Sequence, residues 1–390
     1  MTAAVQARDA LYTRPFVLAL CANLSLCLAG FLFVHFPGFL LQLGAGEAQI
    51  GRIMALSAVT SVLGGPLVGK VMDERGRKVV ILGGCVLYLL VIALYLTLTA
   101  LGPLLYLVRL LDGLAATMLY ASLFTYGADL VPASRRTEGL AIFGSSGLLP
   151  LGLSAQLGDA LLEQAGYREL FAWAGGFALL GFVLALCLPD TRPLGDGSPR
   201  RGVMAPALQR DLLPVWLAAF AFFFAVSTVF TFMKTYVAQH GHGSVGDFFS
   251  VYAVVALALR VFAGRLPDRV GTRRMVLPAL LCYGAGLVLL ARAVSAGDVL
   301  WAGALCGAGH GYAYPVLFSL VVERASEHER GAAMAVYTVV DWGGMFLSGP
   351  ILGYAIEHMG YGNSFFALSL LLVLGIMIFH ALDRPRREPS

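Results

Sequence analysis

The chain has 390 residues, 58% hydrophobic and 13% charged, against about 25% charged in an ordinary soluble domain. The charges cluster and leave apolar runs of about 20 residues or more, which a soluble fold with polar faces lacks and which show no ten-residue alternation of a membrane β-barrel. The net charge of +4 is a topology signal and gives no reason to invoke nucleic acid.

Twelve apolar runs follow in chain order: 15–41, 49–71, 78–99, 103–128, 139–162, 169–188, 214–238, 246–266, 275–295, 298–322, 331–354 and 364–382. Each is long enough to cross a hydrocarbon core of about 30 Å as a helix. Their glycines suit close helix packing in lipid. The first run is too long for a cleavable leader and lacks a convincing cleavage site, so it reads as a retained span. Most of the 27 Lys and Arg fall on one side if the N-terminus is cytoplasmic: Arg8 and Arg14, the segments around Lys70–Lys78, Arg135–Arg136, Arg192–Arg210, Arg265–Arg274 and Arg324–Arg330, and the tail at Arg384–Arg387. Positive residues mark cytoplasmic loops, and an even number of spans returns the C-terminus to that side. The expectation is a multi-pass protein of the cell membrane, with a bacterial inner membrane as its setting. The six cysteines all lie in the runs without CxxC or Cys/His metal spacing. No metal and no cofactor are expected.

The polar stretch 189–211 reads as a cytoplasmic linker. It separates an N-terminal six-span half, 1–188, from a C-terminal half, 212–390. The halves echo each other. Gly69-Lys70-Val71-Met72-Asp73-Glu74-Arg75-Gly76-Arg77-Lys78 recurs as Gly264-Arg265-Leu266-Pro267-Asp268-Arg269-Val270-Gly271-Thr272-Arg273. Aligning Asp73 on Asp268 also aligns Gly51 with Gly246 and Gly76 with Gly271. Gly166-Tyr167, followed by Phe171, recurs as Gly360-Tyr361, followed by Phe365. Paired membrane halves usually carry a solute through their seam.

These motifs resemble the major facilitator superfamily over almost the whole chain. The family's loop signature, G-x-x-x-D-R-x-G-R-[RK], is matched by Gly264, Asp268, Arg269, Gly271 and Arg273. In the first copy, Gly69, Asp73, Gly76 and Arg77 match, Glu74 replaces the usual Arg, and Arg75 follows it. Arg109-Leu110-Leu111-Asp112-Gly113 resembles the fourth-helix motif R-x-x-x-G. Tyr252 with Arg260, and Arg330-Gly331 followed by Asp341, are similar to the twelve-helix drug:proton antiporter group and its predicted efflux permeases. One departure stands out. That group's fifth-helix Gly-Pro pair is lost from Gly144-Ser145-Ser146-Gly147-Leu148-Leu149-Pro150-Leu151-Gly152, while Gly349-Pro350-Ile351-Leu352-Gly353 stands in the eleventh run. The departure weakens antiport without touching the fold. The resemblance implies an all-α membrane fold of twelve helices in two pseudo-symmetric halves. It also implies a gate at the loop signatures, with Asp73 near the start of the eleventh helix. The competing reading makes those loops topology markers only.

Ionisable groups within spans are expensive and point to function. Arg109 and Asp112 are three apart on one helix face and can neutralise each other. Asp341, eleven residues past Arg330, lies roughly 16 Å along its helix, near mid-bilayer. A carboxylate taken out of water exchanges its proton on different terms, so Asp112, Asp341 and Arg109 are the proton-coupling candidates. The resembled fold lines its cavity with helices 1, 4, 7 and 10, which makes His35, Lys234, His310 and Tyr314 substrate-path candidates, with Arg260 nearby. Against this, Arg109 and Asp112 can be a closed structural pair, Lys234 and Arg260 can snorkel to the surface, and the histidines can be satisfied core groups. The excess of cations over acids leans toward an anionic or zwitterionic amphiphile. Proton-driven export of a small organic molecule by a monomer leads, followed by proton-coupled import of a metabolite on the same fold. A receptor or enzyme trails, because no catalytic motif occurs in the short loops.

Overall fold

Capping residues and glycines write the helix boundaries into the chain. The computed structural model describes residues 11–190, 207–325 and 330–383, and among these every regular element is helical. Thr13 accepts the Phe16 N–H ahead of α1 (Arg14–Leu32). A 3-10 turn, Phe33–His35, leads into α2 (Phe36–Gln42). The first apolar run is therefore broken where a single helix was expected. Pro37 supplies no N–H to the helical ladder, so the break falls just before it.

The chain continues through α3 (Glu47–Arg75), α4 (Arg77–Tyr95), α5 (Pro103–Leu130), α6 (Arg136–Gln164) and α7 (Tyr167–Leu186). Next come α8 (Leu213–His240), α9 (Val245–Phe262), the short α10 (Leu266–Val270), α11 (Thr272–Ala291), α12 (Ala296–Arg324) and α13 (Arg330–Leu382). Ser244 caps α9, and Ser295 with Asp298 forms a capping box on α12. Eleven helices among the described residues are long and apolar enough to cross a membrane, α1 and α2 counting as one. The last of them, α13, is interrupted at Gly360, whose φ of 78° no L side chain adopts easily. Gly166, its echo in the first half, has φ 87° ahead of α7. The loop-signature glycines match in the same way, Gly76 at φ 93° and Gly271 at φ 99°.

Backbone contacts divide the chain into two compact units, Met1–Ala45 with Leu56–Gly197, and Gly46–Ala55 with Ser198–Ser390. The partition falls inside the 189–211 linker, most of which (191–206) lies outside the described residues, as do Arg8 and the tail arginines. It also assigns the first turns of α3 to the second unit. Within the first unit α1 packs on α6 and α7, and α4 on α5 and α7. Within the second, α8 packs on α13, α11 on α12 and α13, and α9 on α12.

The α9–α12 contact shows what sets these distances. Gly303, Gly307 and Gly311 repeat every four residues on α12 and face Phe248, Tyr252 and Ala256 at the same spacing on α9. A Cβ at Gly307 would lie 2.4 Å from the Tyr252 carbonyl oxygen. Lipid gives helices no hydrophobic reason to associate, so backbone approach at small residues supplies the packing. Gly307→Ala is expected to cost about 1–3 kcal/mol through overpacking and to lower the thermal unfolding midpoint in detergent. Gly297→Ala, at the exposed start of the same helix, is expected to leave it unchanged. Equal midpoints for the two variants would show that the α9–α12 interface tolerates separation.

Candidate functional site

The first unit is organised around a buried cation. Arg109 on α5 places Nη1 2.5 Å from Asp112 Oδ2, one helical turn away, and the two side chains are only 5% and 15% exposed. Nη1 also donates to the Tyr95 hydroxyl at 3.2 Å, and Nη2 donates to Ser57 Oγ on α3 at 3.0 Å. Tyr95, at the end of α4, donates in turn to Asp112 Oδ2 at 3.4 Å. The Phe36 ring lies 5.2 Å from the guanidinium carbon, and Phe33, Phe36 and Phe171 surround the Tyr95 ring. Gly113 makes this meeting possible. A Cβ there would lie 2.0 Å from the Ser57 carbonyl oxygen, and Thr60 and Ser61 of α3 donate to the Leu110 and Gly113 carbonyls. An ion pair in a low-dielectric interior gains from each further donor that is satisfied, and both Nη1 and Nη2 are bonded here.

His35 is fully buried in the first unit, held against α6. Its Nε2 lies 3.0 Å from the Ala155 carbonyl, which only accepts, so Nε2 carries the proton. Nδ1 stands 3.6 Å from Asp159 Oδ1. Gly158 clears the space, since a Cβ there would lie 2.3 Å from the imidazole.

In the second unit, His310 on α12 accepts or donates at Nδ1 to the Tyr252 hydroxyl of α9. Its ring packs edge-on against Phe222 of α8 and beside Tyr314, which in turn meets Phe223 and Tyr337. His310 and Tyr314 thus share one aromatic wall. Arg260 lies two turns beyond Tyr252 in the last turn of α9, and Lys234 is partly exposed on α8. Asp341 is partly buried on α13. Among the described residues it makes no hydrogen bond or ion pair.

The two loop signatures are stitched differently. Arg77 donates to Asp73 at 3.4 Å, to the Met72 carbonyl at 3.1 Å and to Asp129 on α5 at 3.2 Å. It therefore ties three helices of the first unit at the Gly76 turn. Asp73 is 45% exposed, and Gly69 and Arg75 lie on the same last turns of α3. Lys78 donates to the Leu186 carbonyl at the end of α7. In the second copy Asp268 and Arg269 are exposed on α10, just after Gly264. Arg273, aligned with Lys78, donates to both the side chain and the carbonyl of Asp383, at 2.5 and 2.6 Å. Arg324, aligned with Asp129, stands 2.9 Å from the same carboxylate.

Tyr95, Ser57, Asp159 and Asp383 carry these contacts, and the sequence reading did not single them out. Their partners lie as near as 14 residues for Tyr95 and Arg109 and as far as 110 for Asp383 and Arg273, with Asp159 and His35 further apart still. For Asp383 a usable signal existed: an acid at the end of the last run, directly before Arg384.

The family model described as the Major Facilitator Superfamily matches residues 18–246 and 215–390. An uncharacterized MFS-type transporter of Salmonella typhimurium is 24% identical over 88% of this chain and 89% of its own length. Multidrug resistance protein 2 of Bacillus subtilis is 23% identical over 67% of each chain. Among solved structures, the nucleoside transporter NupG superposes with a TM-score of 0.80 at 13% identity, over 95% of this chain and all of its own. A POT family transporter in complex with 5-aminolevulinic acid gives 0.82 at 13% identity, over 96% and 98%.

The pair at Arg109 yields a stability test. Asp112→Leu leaves the buried guanidinium without its carboxylate, and breaking such a pair costs about 3–5 kcal/mol. Arg109→Leu combined with Asp112→Leu is expected to recover most of that loss. Thermal unfolding of the two proteins in detergent checks this, and a double variant no more stable than Asp112→Leu would refute mutual neutralisation.

Proposed function

This chain belongs to the Major Facilitator Superfamily, and we propose that it is a proton-coupled exporter of a small organic molecule working by alternating access. That it is a multi-pass membrane transporter and not an enzyme follows from its family and relatives. Direction, coupling ion and substrate class are our reading. Counting the stretches on either side of Gly360 separately gives twelve spans, and the basic residues favour cytoplasmic termini. We read the halves as 1–188 and 212–390, the protein as a monomer, and the setting as a bacterial inner membrane.

One observation carries the coupling. Apart from Asp159 beside His35, two acids in the middle of apolar helices lie in opposite circumstances: Asp112 is held by Arg109, Tyr95 and a shared network, while Asp341 has no hydrogen-bond or ion-pair partner among the described residues. A carrier that turns over with a proton needs a carboxyl whose charge is not locked by a fixed cation, and Asp341 fits. Asp112 serves the same role only when Arg109 is drawn away. Export is supported by the likeness to drug:proton antiporters and by a relative named as a multidrug resistance protein. Among the cavity candidates the cations Arg109, Lys234 and Arg260 outnumber the acids Asp112 and Asp341, which suits an anionic or zwitterionic amphiphile, with His35, His310 and Tyr314 as polar partners. Asp73 and the loop signatures serve as the gate.

The test is transport by purified protein in liposomes with an imposed pH gradient, using a ligand found by thermal-shift screening. Accumulation is expected against the proton gradient's direction. Asp341→Asn is expected to abolish gradient-driven accumulation while leaving substrate exchange largely intact. Unchanged uphill transport in both Asp341→Asn and Asp112→Asn would remove these acids from the mechanism. For the topology, single cysteines placed within 189–211 of a cysteine-free variant are expected to label only from the cytoplasmic side. Labelling from outside intact cells would invert the assignment.

A further inference from the structure

Besides the acids Asp112 and Asp341, the protein holds one at a helix start: Glu47 in the first turn of α3, within the second unit. The first turns of α3 lie against α13 at the closest backbone approach among the described glycines. A Cβ at Gly51 would stand 1.9 Å from the Gly349 carbonyl oxygen, and one at Gly353 would stand 2.4 Å from the Glu47 carbonyl oxygen. The Gly349–Gly353 pair that stood out in the sequence is thus a seat for α3. The seat brings Glu47 against Tyr361, just past the Gly360 break. Tyr361 donates to Glu47 Oε1 at 2.7 Å, and the Tyr361 hydroxyl is also hydrogen-bonded to Thr235 Oγ1 of α8. Thr235 in turn stands 3.1 Å from the Phe232 carbonyl. Thr235 is fully buried, Tyr361 is 2% exposed, and Glu47 Oε2 is buried without a hydrogen-bond partner among the described residues.

Counting hydrogens shows what this chain of groups can do. Each hydroxyl has one proton to give, and the Phe232 carbonyl only accepts. With Glu47 ionised, Thr235 donates to Tyr361 and Tyr361 donates to Glu47. With Glu47 protonated, its own O–H donates to Tyr361, Tyr361 donates to Thr235, and Thr235 donates to Phe232. Both arrangements use every hydroxyl hydrogen, and they differ by one proton and by the rotation of two hydroxyls. We propose that Glu47 is a proton-exchange site whose two states are each completed by the Tyr361–Thr235 hydrogen-bond chain. On release, the carboxyl O–H bond breaks, water takes the proton, and the chain reverses direction. Uptake is the reverse.

The surrounding charges are few. Glu357 of α13 accepts the Ala48 N–H at 3.2 Å and so caps the same helix start. Tyr236 and His240 of α8 pack on the Tyr361 ring, at 5.4 and 5.6 Å. Lys234 precedes Thr235 on α8. The use of this proton in transport rests on the carrier reading; the site itself does not.

Infrared difference spectroscopy during a pH titration of the purified protein tests the site with the proton as the only ligand. The wild type is expected to show a protonated-carboxyl C=O band that disappears in Glu47→Gln and persists in Asp341→Asn and Asp112→Asn as a separable component. Tyr361→Phe retains the carboxyl and is expected to shift that band without removing it. A band structure unaltered by Glu47→Gln overturns the exchange site. A band lost in Glu47→Gln but unmoved by Tyr361→Phe overturns the hydrogen-bond chain. Absence of gradient-driven flux alongside a Glu47 band would sink the coupled-carrier reading and leave the site standing. Flux without the band would do the opposite.

Discussion

Lipid withholds the force that holds soluble helices together, so close backbone approach at small residues decides which polar groups in this protein can meet. Gly113 lets α5 reach α3, and Ser57 then reaches Arg109. The Gly303, Gly307 and Gly311 face lets α12 reach α9, and Tyr252 then reaches His310. Gly349 and Gly353 let α13 reach the start of α3, and Tyr361 then reaches Glu47. In each case a glycine ridge and a buried polar contact are one structural fact. Pushing the helices apart by a methyl group would strand a buried donor or acceptor at the cost of its desolvation.

The polar groups divide into those fixed by their neighbours and those that are not. Arg109 is surrounded by a carboxylate, two hydroxyls and an aromatic face. Such a group is well suited to staying put. Asp341 has none of these supports among the described residues, and a lone carboxyl in an apolar span is costly as an anion. Glu47 is intermediate: one oxygen accepts from Tyr361, and the other has no hydrogen-bond partner among the described residues. A transporter needs both kinds of group, rigid ones to hold its helices and loosely held ones to change charge.

Much of the fold was legible because its signals are local. Hydropathy marked the spans, and the echoes Gly76/Gly271 and Gly166/Gly360 marked the turns, since a positive φ demands glycine wherever it occurs. The Arg109–Asp112 pair was legible from its spacing of one helical turn. The partners that complete the site were not. Tyr95, Ser57, Asp159 and Tyr361 reach their contacts through helix packing across long sequence separations, and a tyrosine in an apolar run gives no sign of which cation it will serve. The break at His35 was readable in principle from Pro37, but hydropathy alone runs straight through it.

The clamp on Asp383 bears on how the protein is made. Arg273 and Arg324 close on a carboxylate that follows them in the chain, in the case of Arg273 by 110 residues. In the first unit the matching tether, from Lys78 to the Leu186 carbonyl, is complete before any residue of α8 has been synthesised. Both arginines of the second unit must instead wait through the synthesis of α13, which a partly exposed Arg273 can do in contact with water. The first unit is therefore able to lock during translation, while the second fastens only when the ribosome has passed Asp383.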